Sequence, residues 1–300
     1  MSTCSAASRA LSEPLAATAA TARTWLLVEQ PGPWGAKALG HSRLDPDLGR
    51  ALEEAAAGTG VRVALIRRPG RHPDHHGPSR HRVYLAHTLP GRSWVRTGVL
   101  SDPEVLRDLD MAALGEGDHG GVWEPYTGDP LALVCTNGRR DRCCALLGRP
   151  LAAELVASDA GEVWEITHLG GHRFAPTLLT LPHGYTYGRL GGHAVKDVLD
   201  GVRHGRVVTT GCRGRSAWGR PGQAADLAVR ELTGETGADA LTVSATEGAA
   251  PEWSVTVTRL DGRSWRVTVV EDADVPPLPA SCGADPAPQS RMTVTAIVPL

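Results

Sequence analysis

Three of the six cysteines lie within ten residues, at positions 135, 143 and 144, and this crowding constrains the fold of the surrounding chain. The apolar run Leu131–Cys135 is typical of a short buried strand. The polar residues 136–142 predict a loop, and a helical pattern begins at about Cys143. A thiolate at a helix N-terminus is favoured by the free N–H groups of the first turn and by the helix dipole. The sequence therefore predicts a strand–loop–helix unit that carries two candidate ligands, Cys135 and Cys144.

Two histidines supply the other half of a possible ligand set. His168 and His172 lie four residues apart in the segment Thr-His-Leu-Gly-Gly-His. The consecutive glycines disfavour a regular helix, but a tight loop can direct both rings to one point, and glycine lets the backbone pass close to a bulky cofactor. The two thiols and two imidazoles together form a four-ligand set.

The spacing alone leaves the bound group open between three interpretations. Structural zinc sites with two cysteines and two histidines usually separate the cysteines by about two to four residues. The eight residues between Cys135 and Cys144 are too many for that arrangement. A two-iron cluster is wider than one ion and accepts ligands from two separated loops. The third interpretation is that no metal is bound. Cys143, next to Cys144, is the alternative candidate for the second thiol ligand.

The alternation of strand and helix patterns predicts an α/β protein with three parts. Residues 23–126 and 127–214 read as two small α/β domains, separated near the glycine-rich stretch 115–121. Residues 215–300 contain one helix pattern followed by strand patterns, with Asp261-Gly262 as a hairpin signal. They predict a β-rich C-terminal α+β extension.

Several segments show weak or interrupted patterns. Residues 1–22 are small and polar and predict a frayed terminus. Gly148 and Pro150 predict a kink or a split in the helix after Cys143, and the proline-rich residues 271–290 predict a linker. No role is predicted for Cys4 and Cys282, and Cys212 is interpreted as an ordinary free thiol rather than a redox-active one. A histidine-rich loop is a weaker candidate for a second metal site, because proline and glycine preorganise ligands poorly; its histidines are His72, His75, His76 and His81.

Composition excludes several classes of protein. The net charge of −2 argues against a broadly basic nucleic-acid surface. No run reaches the ~18 apolar residues of a membrane span, and the alanine-rich start is too weakly hydrophobic for a signal peptide. We therefore expect a soluble cytoplasmic protein that binds neither nucleic acid nor membrane. The sequence gives no oligomeric state.

Three motifs resemble the sucrase/ferredoxin-like family, which includes the fungal actin-patch-distribution proteins. They are Cys135-Thr-Asn-Gly-Arg-Arg-Asp-Arg-Cys-Cys144, His168-Leu-Gly-Gly-His172 and Pro182-His-Gly-Tyr-Thr-Tyr-Gly-Arg-Leu190. The resemblance is strongest over about 128–192 and continues back to about residue 24. It implies a thioredoxin-like ferredoxin domain, preceded by a second α/β domain for which a thioredoxin-like fold is one interpretation. It also implies a [2Fe-2S] cluster held by Cys135, Cys144, His168 and His172. Asp141 lies three residues before Cys144, as in the family pattern, which favours Cys144 over Cys143.

These observations predict an iron–sulfur protein that transfers single electrons or senses redox state, rather than an enzyme with its own substrate. The alternative is a zinc-stabilised binding module without redox activity. A thiol oxidoreductase that uses Cys143 and Cys144 is disfavoured, because no Cys-x-x-Cys spacing occurs. The expected partner is an unidentified redox protein, and the arginines between the ligand cysteines offer acidic groups a docking site; these are Arg139, Arg140 and Arg142.

Overall fold

The computed structural model describes residues 3–70, 80–272 and 276–300, and two α/β units follow one another along the chain. A short helix, α1 (Cys4–Ala10), precedes the first unit. The first unit consists of β1 (Thr24–Glu29), α2 (Pro46–Ala56), β2 (Val61–Arg67), β3 (His81–His87), β4 (Trp94–Leu100), a 3₁₀ helix (Pro103–Asp108), α3 (Met111–Glu116) and β5 (Glu124–Pro125). The second consists of β6 (Leu131–Cys135), α4 (Arg142–Ala157), β7 (Glu162–Ile166), a 3₁₀ helix (His172–Phe174), β8 (Thr177–Leu181), β9 (Tyr185–Gly188), α5 (Gly192–Arg203) and β10 (Cys212–Arg215).

The two units share one topology and one continuous sheet. Its ten strands have the order β10-β9-β8-β6-β7-β2-β1-β3-β4-β5. In each unit the first two strands are parallel and joined through a helix, and the next two strands are antiparallel to their neighbours. The units meet where β2 pairs antiparallel with β7, with Ile66 opposite Ile166 and Arg67 opposite Glu165. The first unit therefore repeats the arrangement of the second about this seam.

Three apolar clusters hold the sheet in place. On one face, α2 and α3 pack on the first unit around Leu48 and Leu52, and α4 and α5 pack on the second around Leu155 and Leu199. Side chains of both units meet in a third cluster on the other face, where the Tyr84 ring lies edge-on to Trp164 at 5.7 Å. Because that cluster spans the seam, the two units bury part of their cores against each other.

The C-terminal region forms a separate antiparallel sheet covered by a helix. Its elements are α6 (Arg220–Thr233), β11 (Leu241–Ala249), β12 (Glu252–Arg259), β13 (Ser264–Asp272) and β16 (Arg291–Pro299), with a two-stranded pair, β14 (Leu278–Pro279) and β15 (Pro286–Ala287), inserted before β16. The order of the strands in the sheet is β11-β12-β13-β16, and α6 packs against the sheet around Val229. The predicted fold class, two small α/β units followed by a β-rich extension, is thus confirmed. Among the described residues, no helix is both long and apolar enough to cross a lipid bilayer.

Three local expectations were wrong. The N-terminal segment is not frayed, because α1 packs into the protein and Arg189 donates a hydrogen bond to the carbonyl oxygen of Glu13 at 2.9 Å. The helix α4 is not split at Pro150 but continues to Ala157, since Leu151 and Leu155, which follow the proline, are buried in the core. Part of the proline-rich stretch is built into the structure, because β14 contacts α1.

Candidate metal centre

Cys135 and Cys144 are positioned by the contact between β6 and α4. Cys135 is the last residue of β6, and Cys144 lies in the first turn of α4, which is capped by Asp141. The Asp141 carboxylate accepts a hydrogen bond from the Cys143 N–H at 2.8 Å. Gly148 lets the helix approach the strand, because a Cβ there would collide with the carbonyl oxygen of Cys135. The sequence therefore places the two thiols at the same end of the central strand.

The histidine loop, residues 167–171, follows β7 and is held by two arginines, of which Arg213 is fully buried and Arg62 half-buried. Arg62 donates to the carbonyl oxygen of His168 at 2.8 Å, and Arg213 donates to that of Gly170 at 3.1 Å. Gly171 adopts a left-handed conformation with φ of 66°, and a Cβ there would collide with the Arg213 guanidinium. This close approach explains the second glycine of the motif and fixes the path of the backbone into His172.

Three of the four predicted ligands form one compact group. The ligand atoms of Cys135, Cys144 and His168 lie within 4.8 Å of one another. The fourth, His172, borders this group, with its ring centroid 5.0 Å from that of His168. Its Nε2 lies 3.6 Å from the Asp141 carboxylate. The arrangement therefore has a tight core of three donors and one imidazole beside it.

The imidazole nitrogens have the character of unsatisfied ligands. Nδ1 of His168 and both ring nitrogens of His172 are buried without a hydrogen-bond partner. A buried polar atom without a partner costs about 1–3 kcal/mol, so native proteins rarely leave one. A bound metal or cluster removes this cost by taking the nitrogen lone pair, and the residues present therefore fit such a group.

The thiols of Cys135 and Cys144 interact with each other, and their pKa values move in opposite directions. The pKa of Cys135 is lowered well below its ordinary value, because its thiolate accepts hydrogen bonds from the Cys144 thiol and from His168. The pKa of Cys144 is raised, since its thiol donates to Cys135 and is buried. The helix N-terminus was expected to favour a thiolate at Cys144, but burial and the neighbouring Cys135 raise the pKa of this thiol instead.

Two arginines, one fully buried and one half-buried, interact electrostatically with Cys135. Burial lowers the pKa of Arg213 to about 9 and also lowers that of Arg62, while the negative charge of Cys135 opposes both shifts. Arg213 is fully buried and donates to Thr18 and to the histidine loop. Opposite charges in a low-dielectric interior interact strongly, so these guanidinium groups stabilise negative charge at the candidate centre.

A second group of possible ligands lies beside the first and was missed in the sequence. It consists of Cys4, Asp141, Cys143 and Cys282, whose ligand atoms lie within 4.8 Å of one another. Cys143 therefore belongs to this second group, whereas its neighbour Cys144 belongs to the Cys135 group. Burial raises the pKa of Cys4 and that of Cys143. Nothing in the local sequence pattern joins positions so far apart in the chain.

The other residues that the sequence singled out do not belong to either group of ligands. His72, His75 and His76 lie outside the described residues, and the Nδ1 of His81 lies 2.7 Å from the carbonyl oxygen of Glu29. Cys212 is buried in β10, where burial raises its pKa to about 12. The three arginines between the ligand cysteines are exposed on the surface, and within the described residues none forms an ion pair or a side-chain hydrogen bond; they are Arg139, Arg140 and Arg142.

The fold and this site define an α/β protein with a buried thiol–imidazole centre at the end of a central strand, able to hold a metal. Comparison with protein families identifies the family of the chain. The family described as Sucrase/ferredoxin-like matches residues 15–214, which is more than half of the 300 residues, and the chain belongs to this family. The resemblance seen in the sequence motifs is thereby confirmed. Comparisons with curated proteins and with solved structures gave no significant match.

Proposed function

We propose that the protein binds a [2Fe-2S] cluster through Cys135, Cys144, His168 and His172 and acts in one-electron transfer or redox sensing. The observation that carries the proposal is the set of buried imidazole nitrogens without partners beside the paired thiols of Cys135 and Cys144. Membership of a ferredoxin-like family supports it. When bound, such a cluster accepts and returns one electron, and imidazole ligands raise its potential relative to all-cysteine clusters.

The spread of the four donors favours a two-iron cluster over a single ion. A tetrahedral zinc ion with bonds of about 2.0–2.3 Å requires donor atoms about 3.3–3.8 Å apart. The three donors of the tight group fit around one ion, but His172 stands beside them, next to Asp141. A cluster distributes its ligands over two metal ions and therefore accommodates a displaced fourth donor.

The surrounding residues perform three tasks in this proposal. Cys135 and Cys144 are almost completely buried, which excludes water from the centre. Arg62 and Arg213 hold the histidine loop through its carbonyl oxygens. The same guanidinium groups offset the negative charge that an added electron brings, so their presence favours the reduced state.

We propose that the redox partner docks where the exposed arginines of the 136–142 loop meet the start of α4. Arg139, Arg140 and Arg142 present unpaired positive charge close to Cys144, and Leu146 is 54% exposed beside them. An apolar contact surrounded by charge of one sign suits an acidic partner protein, because complementary charge accelerates association. Docking here brings the partner near the buried centre.

A zinc-stabilised binding module is the second candidate, since Cys135, Cys144 and His168 alone form a compact group. The two are separated by the visible spectrum of anaerobically purified protein, with iron, acid-labile sulfide and zinc assayed on the same sample. We expect a red-brown protein with about two irons and two sulfides per chain, bleached by dithionite. Cys135→Ser should lose the colour, and Cys212→Ser, at a buried cysteine elsewhere, should keep it. A colourless protein that also resists cluster reconstitution, and whose zinc falls on Cys135→Ser, would establish the zinc module instead.

A further inference from the structure

We infer that the protein has a second metal site, which binds one Zn²⁺ through the thiolates of Cys4, Cys143 and Cys282 and the carboxylate of Asp141. This site is separate from the proposed cluster and uses none of its four ligands. Its three cysteines come from the N-terminal segment, from the start of α4 and from the loop between β14 and β15.

The distances between the sulfur atoms match the edges of a small coordination polyhedron. Cys4 Sγ lies 3.5 Å from Cys143 Sγ and 3.6 Å from Cys282 Sγ, and the last two lie 3.2 Å apart. Both carboxylate oxygens of Asp141 lie 3.8 Å from Cys4 Sγ. A tetrahedral zinc site with Zn–S bonds of about 2.3 Å has sulfur–sulfur edges of about 3.8 Å. The three sulfurs form a closed triangle that needs only a slight expansion to hold the ion.

The chemistry of the donors selects the metal. Three thiolates and one carboxylate suit a borderline-soft ion without a redox function, and four protein ligands leave no open position. Cys4, Cys143 and Asp141 are buried, and Cys282 is half-buried at the edge of the site. The half-buried cysteine provides the side from which the ion enters, and the buried ones provide an environment without water.

Asp141 is already oriented for this role. Its two oxygens accept hydrogen bonds from the N–H groups of Cys143 at 2.8 Å and of Cys282 at 2.7 Å. Metal-bound carboxylates are normally fixed by such additional hydrogen bonds. The same two bonds bring the C-terminal loop to the start of α4, so the protein presents the donors together before the ion arrives.

A metal here would join three distant parts of the chain. The residues it links are separated by as many as 278 positions. A metal that binds only the folded arrangement adds its binding free energy to stability. The site therefore fastens the N-terminal segment and the C-terminal loop onto the second α/β unit, next to the helix that carries Cys144.

The test is the zinc content of the full chain, purified under reducing conditions and assayed with iron on the same sample. We expect about one zinc per chain that survives Cys135→Ser, because that variant removes only a ligand of the proposed cluster. Cys4→Ser and Cys282→Ser should each lower the zinc affinity at least tenfold and lower the melting temperature, and Cys212→Ser should change neither. Cobalt added to metal-depleted protein should give the absorption bands of tetrahedral thiolate-bound Co²⁺, and Cys4→Ser and Cys282→Ser should weaken them.

Three results would overturn the inference. One is a protein that takes up neither zinc nor cobalt after reduction. Another is zinc that disappears on Cys135→Ser but not on Cys4→Ser or Cys282→Ser, which would place the ion at the other centre. The last is a disulfide between two of the three cysteines in protein purified without reductant, accompanied by no zinc uptake after reduction. Failure of the cluster proposal gives a different pattern, namely an absence of iron with the zinc of this site retained.

Discussion

The two halves of the ten-stranded sheet have the same topology, but the candidate metal centre lies in only one of them. In the first half β1 ends at Glu29, which pairs with Ile66, and in the second β6 ends at Cys135, which pairs with Ile166. Since Ile66 and Ile166 also pair with each other across the seam, Glu29 and Cys135 occupy equivalent positions. The fold alone therefore does not create the site; side chains placed on it do.

The helices after these strands show the same contrast. Asp45 caps α2 and Asp141 caps α4, each by accepting backbone N–H bonds. Three residues beyond each cap, Leu48 in the first half is buried in an apolar core, whereas Cys144 in the second joins the thiol group. One half uses this position for packing and the other uses it as a ligand.

The largest expected effect comes from truncating each of these two side chains in turn. We expect Cys144→Ala to abolish cluster binding, because it removes one of four ligands, and to lower the free energy of unfolding of the metal-free protein by only about 1 kcal/mol. Leu48→Ala should do the opposite. It should cost about 2–5 kcal/mol, because it leaves a cavity in a buried core, and keep the iron content in protein that remains folded.

Iron and sulfide per chain, together with urea unfolding of metal-free protein, measure both effects. Iron retained at full stoichiometry in Cys144→Ala would show that Cys143 or another group serves as the ligand. Equal loss of iron in both variants would mean that the centre depends on general stability, and the contrast between the halves would fail.

The seam between the halves gives the next effect. Arg67 and Glu165 lie opposite each other on β2 and β7, form an ion pair at 2.6 Å and are 11% and 6% exposed. Thr136 also donates to Glu165 at 2.8 Å. Glu165→Gln leaves the guanidinium charge buried without its counter-ion, and we expect a loss of about 3 kcal/mol in unfolding free energy.

A matched control lies on the same two chain segments. Arg68 and Glu162 form a more exposed pair at 2.8 Å, with side chains 52% and 33% exposed, so Glu162→Gln should cost less than about 1 kcal/mol. Urea unfolding of both variants at equal metal content provides the comparison. Equal losses would show that the buried pair contributes no more to joining the halves than the exposed one.

Local sequence patterns predicted the elements but not their long-range pairing. The strand Thr24–Glu29 has the bounds expected from its apolar run and from the Pro/Gly segment after it. The pairing of β2 with β7 was not predicted, because strand pairing is a contact between distant residues that leaves no local pattern. The continuous α4 was missed for a related reason, since buried leucines on neighbouring turns outweigh the hydrogen bond lost at Pro150.

The same limit applies to the candidate sites. Cys135, Cys144 and His168 could be found because their spacing and flanking glycines form recognisable motifs. Cys4 and Cys282 could not, since their segments lack periodic patterns and their proximity to Cys143 arises only from the tertiary fold. The assignment of His172 as the fourth ligand still depends on the motif and stays a prediction.

The smallest effect tests a property that both halves have in common. His87 ends β3, and His183 follows β8 two residues after its end. Burial lowers the pKa of each to about 4. The Thr24 hydroxyl donates to the carbonyl oxygen of Leu114, so His87 donates to Thr24 through Nδ1, and its Nε2 is buried without a partner. Protonation would place a charge there, close to Arg92 and Arg23.

The sign of the pH dependence follows from the lowered pKa. In the unfolded chain each histidine takes up a proton below a pKa of about 6.5, whereas the folded protein resists until about pH 4. Stability is therefore complete only well above pH 6.5 and falls with acidification, by about 1 kcal/mol per histidine between pH 7 and 5.5. We expect His87→Asn to reduce the loss between pH 7 and 5.5 by that amount, whatever its own stability at pH 7.

The double variant with His183→Asn should reduce the loss by about twice as much. His193→Asn, at a 95% exposed side chain, should leave the dependence unchanged. Urea unfolding at a series of pH values measures all three variants. An unchanged pH dependence in His87→Asn would mean that this ring is protonated as readily in the folded protein as in the unfolded chain. An effect confined to His183→Asn would show that the halves differ in their buried histidines as well as in their ligands.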